Sequence, residues 1–390
     1  MSQLNSADST PLAKLLAERI REGGPITFAE YMAECLYHPQ FGFYSRADTI
    51  GRKHYYTSVE MHPIFGQLIA RQTHEMWQLM ERPEVFSLIE LGAGDGALAA
   101  QILDFVRSKL PDFYSALSYT AIEISAARRA SAAGALSGHI KSGKLAIALQ
   151  PPGEIPAGCV LSNEFFDALP VHRVVQYKGE LQEVFVGLAA GRFCEELLPP
   201  STPEIIGYLE SLGIKLREGQ QGEISLEACR VFETVGRRLA RGYVLTIDYG
   251  HESGELFNER HMRGTVLAYG NHRSSEDFYR APGEQDLTSH VNFCALDVAG
   301  RRAGLARVGI VSQGNFLLAL ARRNNIAGFF EDGASEPERI RARLKFKSLI
   351  YPEGMGETFQ VLVQEKGVGP SRLSGLSLLS EALATEASRV

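Results

Sequence analysis

The sequence predicts an α/β protein built on a largely parallel, doubly wound sheet. Three observations predict this fold class: apolar strands alternate with helical segments over residues 85–162, a glycine-rich turn joins the first strand to its helix, and acidic residues follow the strand ends. Alternating strands and helices favour a parallel sheet with crossover helices on both faces. Ligands bind beyond the carboxyl ends of such strands, so we expect the functional residues there.

Local signals place the elements before the sheet. Thr10 and Thr27 are candidate N-caps of the first two helices, and Glu30 completes a capping box with Thr27. Helices and aromatic turns then continue to the first sheet strand. The predicted division is a helical cap at 1–80, a sheet domain at 81–366 with insertions near 190–224 and 251–300, and a peripheral tail at 367–390.

The sheet elements follow from apolar runs bounded by turn residues. A hairpin is expected around Gly179, and the charged, glycine-rich residues 251–290 are expected to form a lid or to be disordered. The predicted strands are 85–91, 118–123, 144–149, 158–162, 243–248, 307–313 and 358–364, with helices at 97–110, 125–136, 225–241 and 315–324.

The glycine turn after the first strand points to a cofactor site. Its glycines, Gly92, Gly94 and Gly96, are spaced two apart, so the third comes one residue earlier than in the dinucleotide fingerprint. Asp95 inside the turn would repel a pyrophosphate, but Asp95 and Glu90 suit a cationic ligand. S-adenosyl-L-methionine carries a sulfonium and an ammonium, and is therefore the predicted cofactor.

A second strand supports this interpretation. It ends in Glu123, and the acid that closes the second strand of a doubly wound fold takes the ribose hydroxyls. The long helix and the Pro111–Asp112 turn account for its distance from the glycines. The glycine triplet taken alone is equally compatible with a plain turn.

A second group of polar residues lies just past the strand 158–162. Asn163 is assigned to the cofactor, and Glu164 and Asp167 are the predicted catalytic residues. Methyl transfer needs a nucleophile held at near-attack distance and a route for its proton, and carboxylates bind a guanidinium bidentately. In the alternative interpretation, Asn163 and Asp167 merely cap the next helix.

Three further residues are candidates for substrate binding. Tyr44 ends an aromatic-rich turn, Glu60 lies in the irregular stretch 55–63, and Asp248 ends the strand 243–248. Aromatic packing under a loop is the alternative for Tyr44. The run 282–290 is rich in hydrogen-bonding groups and could reach the cleft, or form an ordinary turn.

Composition excludes several classes of function. A net charge of −6 and a pI of about 6.0 argue against bulk nucleic-acid binding. The five cysteines lack a C-x-x-C and the histidines lack ligand spacing, so neither a disulfide framework nor a metal site is expected. No apolar run reaches membrane-spanning length. The first ten residues are polar without arginine, which predicts a cytoplasmic protein.

Several segments, taken together, resemble the MidA-type family, whose mitochondrial members assist assembly of respiratory complex I. The family is similar to class I S-adenosylmethionine-dependent methyltransferases. The matching segments run in the family's order from about residue 26 to 365: 26–32, 38–44, 56–60 with 65–66, 90–96, Asn163–Pro170, 247–250, 282–288, 313–317 and 355–359.

The resemblance implies a class I methyltransferase (Rossmann-like) sheet and, for the mitochondrial relatives, protein arginine methylation of a complex I subunit. By position, the three glycines and Glu123 would bind the cofactor, and Asn163, Glu164 and Asp167 would border the methyl group. The chain departs from the family's G-P-G-R-G loop and from its Ser-Pro-Glu, which is Ser58-Val59-Glu60 here. A small-molecule methyltransferase and a non-catalytic assembly factor are the competing hypotheses.

Overall fold

The fold is described from a computed structural model of the chain. The described residues are 10–49, 58–270, 273–324, 335–351, 355–370 and 372–378. They form two compact units. The first unit comprises Met1–Tyr55, Phe166–Phe232 and Gly250–Ala299, and the second comprises Tyr56–Phe165, Glu233–Tyr249 and Gly300–Val390.

Helices and strands alternate through much of the chain. The helices are α1 Pro11–Gly23, α2 Phe28–Tyr37, α3 Ser58–Met61, α4 Ile64–Leu79, α5 Ala97–Lys109, α6 Pro111–Ala116, α7 Ala126–Ala135, α8 Ser137–Lys141, α9 Pro203–Ser211, α10 Leu226–Arg238, α11 Ser253–Leu256, α12 Phe293–Arg302, α13 Gln313–Arg323 and α14 Glu336–Ile350. The strands are β1 Ile26–Thr27, β2 Phe86–Leu91, β3 Leu117–Ile122, β4 Leu145–Ala148, β5 Gly158–Asn163, β6 His172–Tyr177, β7 Glu180–Ala189, β8 Arg192–Leu198, β9 Gln221–Ile224, β10 Gly242–His251, β11 Leu267–Gly270, β12 Arg273–Ser275, β13 Asp286–Thr288, β14 Val291–Asn292, β15 Ala306–Ser312 and β16 Phe359–Lys366.

The sheet of the second unit runs in the order β15-β16-β10-β5-β2-β3-β4. Neighbouring strands from β4 to β10 pair in parallel, and β16 pairs antiparallel with both β10 and β15. Strands β2, β5 and β10 are lined with fully or almost fully buried side chains, as expected of strands covered on both faces.

The order in which the chain adds strands to this sheet reverses at β2. From β2 it proceeds outward through β3 to β4, and it then returns to place β5 on the other side of β2. A switch of this kind leaves a crevice beyond the carboxyl ends of the two central strands, where α/β proteins bind ligands. Residues 92–96 follow β2, and Glu164 follows β5.

The first unit is built on antiparallel sheets. In one sheet, β6 lies between β7 and β9, while β1 and β8 both pair with β7. In the other, β11 lies between β12 and β13. A buried cluster joins α1 and α2 to residues of both sheets, including Val186 and Ala268.

Local predictions for the first two helices are confirmed. The Thr10 hydroxyl accepts a hydrogen bond from the Ala13 N–H, and Thr27 and Glu30 form the complete capping box. The hairpin around Gly179 is also present, as β6 and β7. The parallel sheet with helical crossovers matches the predicted fold class.

One expectation about a loop is wrong. The stretch 251–290 was expected to be a lid or disordered, but its described residues include β11, β12 and β13, which form a three-stranded sheet. The insertion near 190–224, for which the sequence predicted no elements, contains α9 and two sheet strands. The predicted division into a cap, a sheet domain and a tail stays a prediction, and the two compact units cut the chain at other positions.

Candidate functional site

The glycine turn after β2 is built from three residues in left-handed backbone conformations. Gly92, Gly94 and Gly96 have φ values of 68°, 57° and 85°. A Cβ on Gly92 would lie 2.7 Å from the Phe165 ring, and one on Gly96 would lie 2.6 Å from the Leu136 side chain. Residues other than glycine would therefore strain the backbone throughout the turn and would also collide at two positions.

Gly94 differs from its two neighbours. A Cβ there would have only the Arg128 guanidinium within 4 Å, at 3.8 Å. Among the described residues, the turn is thus packed closely at both ends and approachable at its centre. This is the arrangement that backbone contact with a ligand requires.

Glu123 fixes the turn to the end of β3. Its Oε2 accepts a hydrogen bond from the Gly94 N–H at 2.9 Å, and its Oε1 accepts one from the Ser125 N–H at 2.7 Å. The residue is 7% exposed. Ser125 is in turn the N-cap of α7. The predicted ribose-binding acid therefore lies directly beside the central glycine.

Glu90 lies at the end of β2 and is 3% exposed. The Tyr119 hydroxyl donates to its Oε2 at 2.8 Å. Burial raises the pKa of Glu90 to about 8, with the charges of Glu123 and Asp95 adding to the effect and the Tyr119 hydrogen bond opposing it. The carboxyl is therefore largely neutral at pH 7, and a bound cation would favour its ionised form.

Glu164 begins the segment after β5 in an unusual conformation. Its φ is 50°, a left-handed value that costs a residue other than glycine about 1–3 kcal/mol. Its N–H donates to the Ile247 carbonyl at 3.0 Å, which ties this residue to β10. Its Oε1 accepts hydrogen bonds from the Ser58 N–H at 2.9 Å and from Asn163 Nδ2 at 3.1 Å.

Asn163 and Asp248 complete this edge of the sheet. The side-chain oxygen of Asn163 is buried and has no hydrogen-bond partner among the described residues. Asp248 is fully buried, and its carboxylate oxygens accept the N–H groups of Phe165 at 3.1 Å and Tyr249 at 3.0 Å. These contacts anchor the backbone that immediately follows Glu164.

The remaining predicted residues have other surroundings. Asp167 and Tyr44 belong to the first unit. Asp167 is 1% exposed, and its carbonyl accepts the Ser289 N–H at 3.0 Å. The Tyr44 hydroxyl donates to the Asp286 carboxylate, with oxygen distances of 2.8 and 2.9 Å. Glu60 lies in α3, and its side chain falls outside the described residues.

Sequence reasoning did not assign a role to Ser58, Gln313 or Asp286. Each lies in a segment that had been noted for its resemblance to the family, and that was the available signal. Ser58 contacts Glu164, and Asp286 contacts Tyr44. Neither pairing could be read from spacing, because the partners are far apart in the chain.

Residues 68–311 match the family model described as "Putative S-adenosyl-L-methionine-dependent methyltransferase". The chain belongs to this family. It is 30% identical to the mitochondrial protein arginine methyltransferase NDUFAF7 homolog of Drosophila melanogaster, covering 92% of this chain and 85% of the relative. It is 29% identical to the Homo sapiens mitochondrial NDUFAF7, covering 90% and 82%.

Solved structures give the same result. The chain is similar to a Burkholderia thailandensis protein crystallised with S-adenosyl-homocysteine, with a TM-score of 0.84, 29% identity and 95% coverage of both chains. A native crystal structure from the same organism has a TM-score of 0.83. The predicted methyltransferase fold, the resemblance to the MidA-type family and the predicted cofactor, S-adenosyl-L-methionine, are confirmed.

The residues at the carboxyl ends of β2, β3 and β5 fit this cofactor. They offer a glycine backbone at Gly94, the Glu123 carboxylate for hydroxyl groups, and the buried oxygen of Asn163 as a further acceptor. This donor and acceptor set suits a nucleoside linked to an amino acid.

The predicted cytoplasmic location is contradicted by the relatives, which are named as mitochondrial proteins. That prediction depended on the composition of the first ten residues, on the scattered cysteines and on the lack of a membrane-spanning apolar run, whereas the match to the Drosophila relative covers 92% of the chain. Within the described part of the chain, no helix has the length and apolar character needed to cross a membrane. The described residues also contain no group of three or more His, Cys, Asp or Glu that could hold a metal ion.

Proposed function

We propose that this methyltransferase transfers a methyl group to an arginine side chain of a protein substrate. The observation that carries the proposal is Glu164, a carboxylate held in a left-handed backbone conformation at the carboxyl end of β5, beside the strand that leads into the glycine turn. Relatives that match nine-tenths of the chain are named protein arginine methyltransferases, which supports the choice of substrate. That the substrate protein is a subunit of a respiratory complex stays a prediction.

The cofactor-binding roles are assigned to residues of the second unit. Gly92, Gly94 and Gly96 would present backbone to the cofactor, Glu123 would accept its hydroxyl hydrogens, and Glu90 and Asn163 would lie nearest its charged part. The cofactor supplies a methyl group on a positively charged sulfur. The chain contributes orientation, because a reacting pair held at near-attack distance gains most of the available rate.

The catalytic role is assigned to Glu164, and a catalytic role for Asp167 stays a prediction. An arginine side chain arrives protonated, so its nitrogen must be oriented and must lose a proton as the new N–C bond forms. A carboxylate can accept a guanidinium N–H group and take that proton. Substrate-binding roles for Tyr44, Glu60 and Asp248 stay predictions.

The test is a methylation assay with an amino-acid readout. Purified protein is incubated with S-adenosyl-L-methionine labelled on the methyl group and with a cell lysate, and the protein fraction is hydrolysed to amino acids. We expect label in Nω-methylated arginine. Label confined to the small-molecule fraction, or to other amino acids, would contradict the proposal.

Two variants control the assay. Glu164→Gln keeps the size of the side chain and removes its charge, and it should leave arginine unlabelled while still binding cofactor. Gly143→Val places a branched residue at another left-handed glycine, with φ 72°, where a Cβ would have no neighbour within 4 Å. This variant should label arginine as the wild type does.

A further inference from the structure

We propose that Ser58 and Gln313 are positioning residues for Glu164, an inference that rests on the catalytic role proposed above for that carboxylate. The backbone N–H of Ser58 donates to Glu164 Oε1 at 2.9 Å. The Ser58 hydroxyl donates to Gln313 Oε1 at 3.1 Å. The two hydrogen bonds link Glu164, through one serine, to the start of α13.

The supporting groups are deeply buried and anchored in turn. Ser58 and Gln313 both have no exposed surface. Gln313 Nε2 donates to the Leu349 carbonyl at 3.3 Å in α14. A second, partly buried contact holds the next residue, since Gln101 Nε2 donates to the Val59 carbonyl at 2.9 Å. The short helix α3 is thus fixed from two sides while its first N–H holds the carboxylate.

This arrangement gives a role to segments that the family resemblance marked and the reaction left unused. Ser58 comes from the segment 56–60 and Gln313 from 313–317, while Asn163 and Glu164 come from the Asn163–Pro170 string. In the fold, the Ser58 N–H and Asn163 Nδ2 meet at Glu164 Oε1, and Gln313 accepts from the Ser58 hydroxyl. Because Glu164 occupies a costly left-handed conformation, surrounding contacts must hold it there.

Holding the carboxylate has two physical consequences. Glu164 Oε1 accepts from the Ser58 and Asn163 donors. These two hydrogen bonds fix the rotation of the carboxylate and hence the direction from which it can bind a guanidinium. Donation to a carboxylate also stabilises its charged form. Loss of the Ser58 N–H should therefore both misplace Glu164 and make it harder to ionise.

Two substitutions at Ser58 separate the role of its hydroxyl from the role of its backbone N–H. Ser58→Ala removes the hydroxyl and keeps the N–H. Ser58→Pro removes both, at the first residue of a helix, where proline is tolerated. Gln313→Met removes the hydrogen bonds of the buried amide with little change in volume. The matched control is Gln72→Met, since Gln72 is equally buried but bonds Gly375 and Glu75.

The first readout needs no substrate. Protein labelled with ¹³C at the glutamate carboxyl is titrated by NMR, and the Glu164 signal is assigned by its loss in Glu164→Gln. We expect its titration to move to higher pH in Ser58→Pro and, less strongly, in Ser58→Ala and Gln313→Met. Gln72→Met should match the wild type. Unchanged titration in Ser58→Pro would overturn the inference.

The second readout is single-turnover transfer of labelled methyl to lysate protein. We expect Ser58→Pro and Gln313→Met to lose on the order of 10- to 100-fold in rate, with cofactor affinity preserved. A loss of rate equal to that of Gln72→Met would show a purely structural role and overturn the inference. If the wild type itself labels no protein, the proposed function fails, while the titration still decides whether Ser58 sets the state of Glu164.

Discussion

The Tyr119 hydroxyl donates a hydrogen bond to Glu90 Oε2 at 2.8 Å, and both side chains, which lie on the neighbouring strands β3 and β2, are almost fully buried. The Glu90 carboxyl therefore accepts a hydrogen bond but has little access to solvent, near the end of the strand that leads into the glycine turn. Burial raises its pKa to about 8. A carboxyl in this state can respond to the arrival of a positively charged ligand.

Glu90→Gln should change how stability depends on pH. Between the ordinary pKa of 4.5 and about 8, the unfolded wild type is ionised while the folded carboxyl is protonated, so wild-type stability falls as pH rises through this window. Glutamine stays neutral throughout. We expect the variant to gain about 3 kcal/mol relative to wild type between pH 5 and pH 8. Denaturant unfolding at several pH values measures this, and parallel curves would contradict it.

Affinity for the cofactor should depend on the pH in the opposite sense, because of the same Glu90 carboxyl. A cationic ligand favours the ionised carboxylate, so wild-type affinity for S-adenosyl-L-methionine should rise with pH from 7 to 9. Titration calorimetry in buffers of different ionisation enthalpy would detect the released proton. In Glu90→Gln, affinity should be weaker and nearly independent of pH. Equal pH profiles for the two proteins would remove Glu90 from the cofactor site.

Gly94→Val should abolish measurable cofactor binding. Gly94 has a left-handed backbone, and a branched side chain would fill the space over the turn where the cofactor is proposed to bind. Gly143→Val introduces similar backbone strain away from the turn. It therefore measures the effect of strain alone on cofactor affinity. Calorimetry with S-adenosyl-L-methionine compares them. Wild-type affinity in Gly94→Val would mean that the turn is misassigned.

The features predicted from sequence were those whose physical cause is local. The glycine turn, the acid Glu123 at a strand end and the Thr27 capping box each depend on residues within a few positions of one another. Alternation of strands with helices was enough to predict the sheet, because parallel strands require crossovers. Glu164 was chosen as a catalytic residue because a carboxylate just past a strand can bind a guanidinium, and because glutamate is a poor helix cap.

The features that were missed depend on distant partners or on weak periodicity. The bond between Ser58 and Gln313 joins residues 255 positions apart. Strands β11 to β13 are only three or four residues long, and β12 and β13 carry mostly polar side chains, so residues 251–290 showed no strand pattern. Helix α14 has its charged and apolar residues spread around the axis. It therefore has no apolar face from which a helix could be predicted.

Asp248→Asn should weaken the support of Glu164. The carboxylate accepts the N–H groups of Phe165 and Tyr249, and an amide can accept with only one of its two ends. A buried N–H left facing an NH₂ costs about 1–3 kcal/mol. We expect lower unfolding free energy and slower transfer with cofactor affinity nearly intact. Asp112→Asn, on the exposed start of α6, is the control, and equal effects at the two positions would refute the anchoring role.

Acid should destabilise the first unit through a histidine cluster. His290 lies 5.3 Å from His251 and 6.3 Å from His261 between ring centres. Burial, followed by the charges of these two neighbours, lowers the pKa of His290 to about 4. The unfolded chain takes up a proton near pH 6.5 and the folded chain does not, so stability is lost as pH falls from 6.5 towards 4.

His290→Gln should reduce this acid sensitivity. The wild type should lose up to about 3 kcal/mol between pH 7 and pH 4 through His290, and the variant should lose correspondingly less. Thermal unfolding from pH 4 to pH 8 measures the difference in slope. The same slope in both proteins would show that another group governs acid stability.

The most direct test of the central claim is the single-turnover rate of methyl transfer in Glu164→Gln, measured with cofactor affinity on the same preparation. If Glu164 orients the acceptor and takes its proton, cofactor affinity should be preserved while the rate falls by roughly 100- to 10,000-fold. A rate equal to that of the wild type, with cofactor bound, would contradict the account.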